Sequence, residues 1–293
     1  MVATRRPARQ GLVSAYHSEV DAAVAAMTVA LDTGADNPTA LEALDGELHG
    51  PAANLVIDRR AETRSELLAA ARRELEDPKM RLPSSPKSRS ALVRILVLHQ
   101  VDAMWWSHVT PYADEAAVED SPDLVSLPRL GKAGALRFRF AVQPESLLGR
   151  GRDAARRRLT PRRRPQVSGM KFLVARPEIV AVLNEVADRL RKETPAGTPP
   201  LWVNSIVRSV EHQRHLSELG YSALLPSSHC FGWGADVEMT WFERFGAADS
   251  LRGILTDYRD QGVLNVIGEG QAWHLCLSPE HVPAYRDPSL TTP

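Results

Sequence analysis

The stretch Ser227-Ser228-His229-Cys230-Phe231-Gly232-Trp233-Gly234-Ala235-Asp236 puts an imidazole and a carboxylate seven residues apart. Two glycines stand between them and a strand-like run follows. A borderline-soft divalent cation such as zinc is held by imidazole nitrogen and carboxylate oxygen in rigid positions. A second histidine, His274, comes 38 residues beyond Asp236, within Ala272-Trp273-His274-Leu275-Cys276-Leu277. Three protein ligands with a fourth position open is the pattern of a catalytic zinc site; a structural site is closed by four. Gly232 and Gly234 let the backbone turn tightly beside the metal.

The elements around these residues read as a small α+β domain with an antiparallel sheet. Residues 176–192 carry apolar side chains at helical spacing (Ile179, Val182, Leu183, Val186, Leu190). A strand over 201–205, a helix over 210–219, a strand over 235–240 and a helix over 247–258 follow. Strands 263–267 and 273–277 close as a hairpin around Gly268-Glu269-Gly270-Gln271. Asp236 then lies on one strand and His274 on a neighbour in the same sheet. The preceding half is mainly helical, with helices expected over 12–31, 38–48, 52–76 and 87–109. One half-buried strand is read from the alternation of Leu136, Phe138, Phe140 and Val142. The resulting division is a helical region of undisclosed role at 1–148, an Arg/Pro-rich linker at 149–168, the α+β domain at 169–286 and a tail at 287–293.

These residues resemble the zinc D-Ala-D-Ala peptidases, bacterial carboxypeptidases and dipeptidases that share a fold with lysostaphin-type enzymes and the hedgehog signalling domain. The resemblance runs through Asn204-Ser205-Ile206-Val207-Arg208-Ser209, Gln213, Ser227-x-His229-x-x-Gly232-x-Gly234-x-Asp236 and Trp273-His274, about two fifths of the chain. It implies zinc held by His229, Asp236 and His274, and Arg208 beside the substrate stabilising developing negative charge. It also implies supporting, substrate-side roles for Gln213 and Ser227. The family usually has alanine where Gly234 stands, a small-for-small difference expected to matter little. Its usual general base, a carboxylate three residues before the last histidine, is replaced here by Gln271, which cannot take a proton and is left a substrate-side position. Glu269, two residues earlier in the same turn, is the nearest carboxylate and the expected base. Glu238 is a lesser candidate, or a group that orients a ligand.

Other readings bear on the same chemistry. Cys276, sharing a strand face with His274, and Cys230, next to His229, offer an alternative ligand set for a closed, inert site. His212 and His215 with Glu211 lack the His-Glu-x-x-His order and read as solvated. His99 and Asp102, one turn apart, could share a ligand, but read as hydrogen-bonded groups on a core or interface helix.

Composition narrows the partners. The formal net charge is zero, with 43% hydrophobic and 25% charged residues, as in a soluble globular protein. Nothing global attracts nucleic acid or an anionic membrane. Residues 150–164 carry eight arginines and one acid, Asp153; they read as a solvated linker, with phosphate binding the alternative. Two cysteines build no disulfide framework. Arg5, Arg6 and Arg9 are followed by His17, Glu19 and Asp21 at helical spacing, with no uninterrupted apolar core. No apolar run reaches a membrane-spanning length, so a cytoplasmic location is expected. The function expected is zinc-dependent hydrolysis of a peptide or amide bond near a free carboxylate. The alternative is a zinc-binding relative that recognises a peptide or partner without cutting it.

Overall fold

The computed structural model describes residues 11–58, 63–78, 86–143, 165, 169–221 and 223–291. The arginine-rich stretch 150–164 lies outside them, as do Arg5, Arg6 and Arg9.

Seven strands occur among the described residues: β1 (Val125–Ser126), β2 (Arg139–Phe140), β3 (Val174–Ala175), β4 (Trp202–Ser205), β5 (Gly234–Glu238), β6 (Leu264–Glu269) and β7 (Ala272–Leu277). Strands β1 and β3 form a separate antiparallel pair, and the other five make one sheet in the order β2-β4-β5-β7-β6. The pairs β4–β5, β5–β7 and β6–β7 are antiparallel, as expected. The sheet as a whole is mixed, because β2 joins β4 in parallel. A parallel pair needs a long crossover, and the chain between β2 and β4 contains helix Pro177–Glu193.

Side chains alternate across a sheet with period two, and the register sorts them cleanly. Val203 pairs with Val237, and Leu275 with both Ala235 and Val266. This apolar face packs against Ile179, Leu183 and Val186 of helix Pro177–Glu193 and Leu251, Ile254 and Leu255 of helix Ala248–Asp260. On the opposite face His274 pairs with both Asp236 and Ile267. Polar groups on a buried face need partners, and the helical first half supplies them.

That half begins with helices α1 (Leu12–Asp32), α2 (Asn37–Glu47), α3 (Pro51–Ile57), α4 (Thr63–Glu76), α5 (Arg89–Leu98) and α6 (Gln100–Trp106). Apolar stripes at three- and four-residue spacing bury Tyr16, Val20 and Met27 of α1 against Leu44, Ile57, Leu75, Val93 and Val97. The Tyr16 hydroxyl donates to the Val97 carbonyl at 2.8 Å. Ile267 of β6 joins this cluster, so the helices sit on the polar face of the sheet. The single helix expected over 87–109 is two, broken at His99, whose ψ of −10° ends α5 and starts α6. The break sets His99 and Asp102 against the sheet.

Val101 belongs to the helical cluster, whereas Trp106, Val118, Leu127, Leu130 and Phe138 belong to the core of the sheet. Stacking explains the change: Trp106 lies on Trp233 with ring centroids 4.4 Å apart and donates to the Leu277 carbonyl at 2.9 Å. No helix among the described residues is long and apolar enough to cross a membrane.

His17 links the two layers. It is 2% exposed, and its Nε2 lies 2.8 Å from Oδ1 of Asn265 on β6. Burial, more than any neighbour, lowers its pKa from 6.5 to about 4. The unfolded chain therefore takes up this proton first. The stability His17 contributes is complete above pH 6.5 and is lost as pH falls towards 4. At about 1.4 kcal/mol per pH unit, the loss is about 3 kcal/mol. His17→Gln retains a donor for Asn265 and cannot titrate. Denaturant unfolding at pH 7 and pH 4 should show wild type losing more stability on acidification than the variant.

Candidate metal centre

The site forms where the loop after β4, the turn before β5, the hairpin β6–β7 and helix α6 meet. Ser228–Phe231 is one turn of 3-10 helix ended by Gly232, whose φ of +77° suits glycine. Behind it the Arg176 guanidinium lies 4.5 Å from the Trp233 ring, and its Nε donates to the Phe231 carbonyl at 3.1 Å. Gly234 begins β5 directly under this turn. A Cβ there would lie 2.7 Å from Ser228 Oγ and 2.9 Å from the backbone nitrogen of His229. The difference from alanine is therefore not neutral: the missing methyl is the space in which the His229 turn sits.

Asp236 and His274 are opposite one another on β5 and β7. His274 Nδ1 lies 3.0 Å from Asp236 Oδ1, and His229 Nε2 lies 3.0 Å from the same oxygen. The remaining ring nitrogens are held from behind. His229 Nδ1 faces the Ile206 carbonyl, and His274 Nε2 lies 2.8 Å from Asp102 Oδ2. A carbonyl and a carboxylate only accept, so these two nitrogens carry the hydrogens. His229 Nε2 and His274 Nδ1 thus both face one carboxylate oxygen, and each would offer a lone pair to a metal ion once free of its hydrogen. Ligands about 2.1 Å from a tetrahedral ion are about 3.4 Å apart, so the 3.0 Å contacts would open by about 0.4 Å to admit one. His229, Asp236 and His274 could hold a metal ion, and so could His99, Asp102 and His274.

Each carboxylate has a cationic partner. Arg208 Nη2 donates to Asp236 Oδ2, its Nε to Ser205 Oγ at 2.8 Å and its Nη1 to Gln213 Oε1 at 3.2 Å. Burial works against ionisation of Asp236, but His229 and Arg208 outweigh it and hold its pKa well below the carboxylate range. Glu269 Oε1 lies 2.6 Å from His99 Nε2; burial opposes this charge too, and His99 keeps the pKa lowered. Burial likewise opposes protonation of His274, and its bonds to Asp102 and Asp236 push the pKa up to about 10. His229 is lowered by burial and by Arg208. Three carboxylates thus face three cationic partners, Arg208, His274 and His99. A metal ion entering between His229, Asp236 and His274 displaces the His274 proton. Side-chain exposure rises from 1% at His274 and 3% at His229 to 10% at Asp236, 18% at Arg208 and 26% at Glu269. Solvent therefore meets the cluster on the side of Arg208 and Glu269.

Other residues singled out in the sequence fall at varied distances from this centre. Gln213 is buried, accepts from Arg208 and donates to the Leu224 carbonyl at 3.0 Å, so it braces the guanidinium. Ser227 is buried, and its carbonyl caps the turn by accepting from Cys230 N–H. The hydroxyl at the cluster belongs to Ser228, which donates to Asp102 Oδ2 at 2.8 Å. Gln271 is exposed in the hairpin turn, and its carbonyl accepts from Met239 N–H. Glu238 is buried at the end of β5, where Asn204 Nδ2 donates to it at 3.2 Å and Trp241 N–H at 3.1 Å. Cys230 and Cys276 are free and buried. Burial raises both thiols, Cys230 to about 11, so neither is a ready thiolate ligand. His212 packs edge-on against Phe172 and His215 is exposed.

Asp102 and His99 enter the site from α6 and the joint before it. Their one-turn spacing was the only local signal, and burial of Asp102 at 2% exposure makes it decisive. Asn265 Nδ2 donates to Asp102 Oδ1 at 2.8 Å and to the Leu98 carbonyl at 3.1 Å, with His17 behind it. A string of hydrogen bonds therefore runs from the first helix to His274. No family model, curated protein or solved structure matches the chain.

The glycine geometry gives opposite signs for one substitution. Gly234→Ala should cost about 1–3 kcal/mol through the forced shift of the His229 turn. Gly253→Ala, in helix Ala248–Asp260 with nothing within 4 Å of the added methyl, should stabilise by about 0.5–1 kcal/mol. Denaturant midpoints that shift equally and in the same direction would contradict the packing described for Gly234.

Proposed function

We propose that this chain is a zinc-dependent hydrolase of peptide or amide bonds near a free carboxylate, with D-Ala-D-Ala or peptidoglycan-type peptides as the substrate class. The observation that carries the reading is the convergence of His229 Nε2 and His274 Nδ1 on Asp236 Oδ1, each ring fixed by an acceptor at its other nitrogen. This is a nitrogen–oxygen donor set of the sort zinc takes, with a carboxylate–histidine bond behind one ligand. Zinc in such a site supplies a Lewis acid that polarises a carbonyl and acidifies water to near neutrality.

The side chains divide the remaining work. Glu269, kept ionised by His99, is in the form that accepts a proton, as a general base must be. Arg208 holds Asp236 with one N–H, and its bonds to described residues use three of the five hydrogens a guanidinium carries. The others suit a substrate carboxylate or a developing oxyanion. Gln213 and Ser205 keep the guanidinium plane in place, and Asp102 fixes the His274 ring.

Purified protein loaded with Zn2+ and given peptides ending in D-Ala-D-Ala should release the terminal residue. His229→Ala should lose both turnover and the ion held with Asp236. Glu269→Gln should keep the metal and lose about 10²–10⁴-fold in kcat. Stoichiometric zinc in a His229→Ala/His274→Ala variant would remove the ligand assignment, and turnover unchanged in Glu269→Gln would remove the base.

A second reading rests on a specific observation: Glu269 and Arg208 are already engaged, with His99 and Asp236 respectively, and Gln271 stands at the family's usual base position. Under it the chain binds zinc and recognises a peptide without cutting it. Peptide binding by zinc-loaded protein, with no cleavage of any peptide, would favour this reading.

A further inference from the structure

We propose that His99, Asp102 and His274, with the Ser228 hydroxyl, form a second divalent-cation site on the far side of the His274 ring. The site is independent of which reaction, if any, the first centre performs. Its donors gather around one oxygen. Asp102 Oδ2 lies 2.8 Å from His274 Nε2, 2.8 Å from Ser228 Oγ and 3.4 Å from His99 Nδ1. Ser228 Oγ is itself 3.1 Å from His274 Nε2. All four residues are buried: His99 at 8% exposure, Asp102 at 2%, Ser228 at 1% and His274 at 1%.

The decisive atom is His99 Nδ1. It is buried and has no hydrogen-bond partner among the described residues, although it lies 3.4 Å from a carboxylate oxygen of Asp102. A buried imidazole nitrogen is rarely left without a partner. Glu269, 2.6 Å from Nε2, turns the ring so that Nδ1 faces Asp102, and an ion entering there would take the place of the hydrogen on Nδ1. The separation of 3.4 Å is long for a hydrogen bond and matches the roughly 3.4 Å edge of a tetrahedral ion with bonds of about 2.1 Å. The Glu269–His99 pair then has the form of a carboxylate orienting a metal-ligating histidine.

The two sites share His274, one at each ring nitrogen. With the first occupied alone, Nε2 keeps its hydrogen and donates to Asp102. Filling the second displaces that hydrogen to solvent as a proton, and the ring bridges the two ions as imidazolate. Charge permits this. Asp102, Asp236, Glu269 and the imidazolate carry four negative charges; two divalent ions and Arg208 carry five positive ones. Nitrogen and carboxylate donors favour zinc, cobalt or copper over magnesium or calcium.

Titration of the full chain with Zn2+ and with Co2+, read by equilibrium dialysis with metal analysis and by cobalt visible absorption, tests the site. Wild type is expected to bind two ions per chain. His99→Gln, whose amide can still bond Glu269, should bind one fewer, and His229→Ala should lose the other. Zinc binding unchanged in folded His99→Gln overturns the second site and leaves the first untouched. A single wild-type ion that survives His229→Ala and is lost from His99→Gln supports the second site while removing the first. Should His99→Gln fail to fold, wild type decides: saturation at one ion that His229→Ala abolishes overturns the proposal.

Discussion

His274 is gripped at both ring nitrogens by carboxylates from different parts of the chain, and the architecture depends on that grip. Asp236 comes from the strand beside it, and Asp102 from a helix 172 residues away in sequence. Both carboxylates are almost wholly out of water, where an unpaired charge is costly and an opposite charge correspondingly effective. Removing either would leave a buried charge without its counterpart, a loss of several kcal/mol in general. The sheet and the helical layer are thus held together electrostatically as well as by apolar packing.

The constraint explains why the polar face of the sheet is roofed by helices that carry their own polar residues inward. His17, His99 and Asp102 all point from the helical layer to strands β6 and β7, meeting Asn265, Glu269 and His274. A helix placed there for packing alone would present aliphatic side chains, as α5 does with Val93, Ile95 and Val97 towards its own cluster. The break at His99 changes the facing surface within one residue. The helical region is therefore part of the centre, and the first and last thirds of the chain are joined by it.

Closure has a chemical consequence. The ligand atoms are nearly inaccessible, and exposure increases only at Arg208 and Glu269. Hydrogen bonds and ion pairs strengthen in such a water-poor setting. The same enclosure limits the size of anything that reaches His229 and Asp236, so a substrate of the proposed reaction would approach by its end.

Much of this centre was legible in the order of residues. A histidine, two glycines and an aspartate within eight positions announce a turn running into a strand, and the His274 strand has its own periodicity. The helix and strand positions of the second half follow from apolar spacing, since each element buries one face. Gly234 was legible only as a small residue, because the clash that excludes a methyl involves an atom six residues back. Glu269 could be picked as the nearest carboxylate, but its pairing with His99 spans 170 residues and has no local trace. The parallel addition of β2 and the bond from Ser228 to Asp102 were equally hidden. Ligand types and strand phase are local properties, encoded in neighbouring residues and their period. Which second carboxylate reaches His274, and whether the site is open or roofed, depend on how distant elements pack, and only the folded chain decides that.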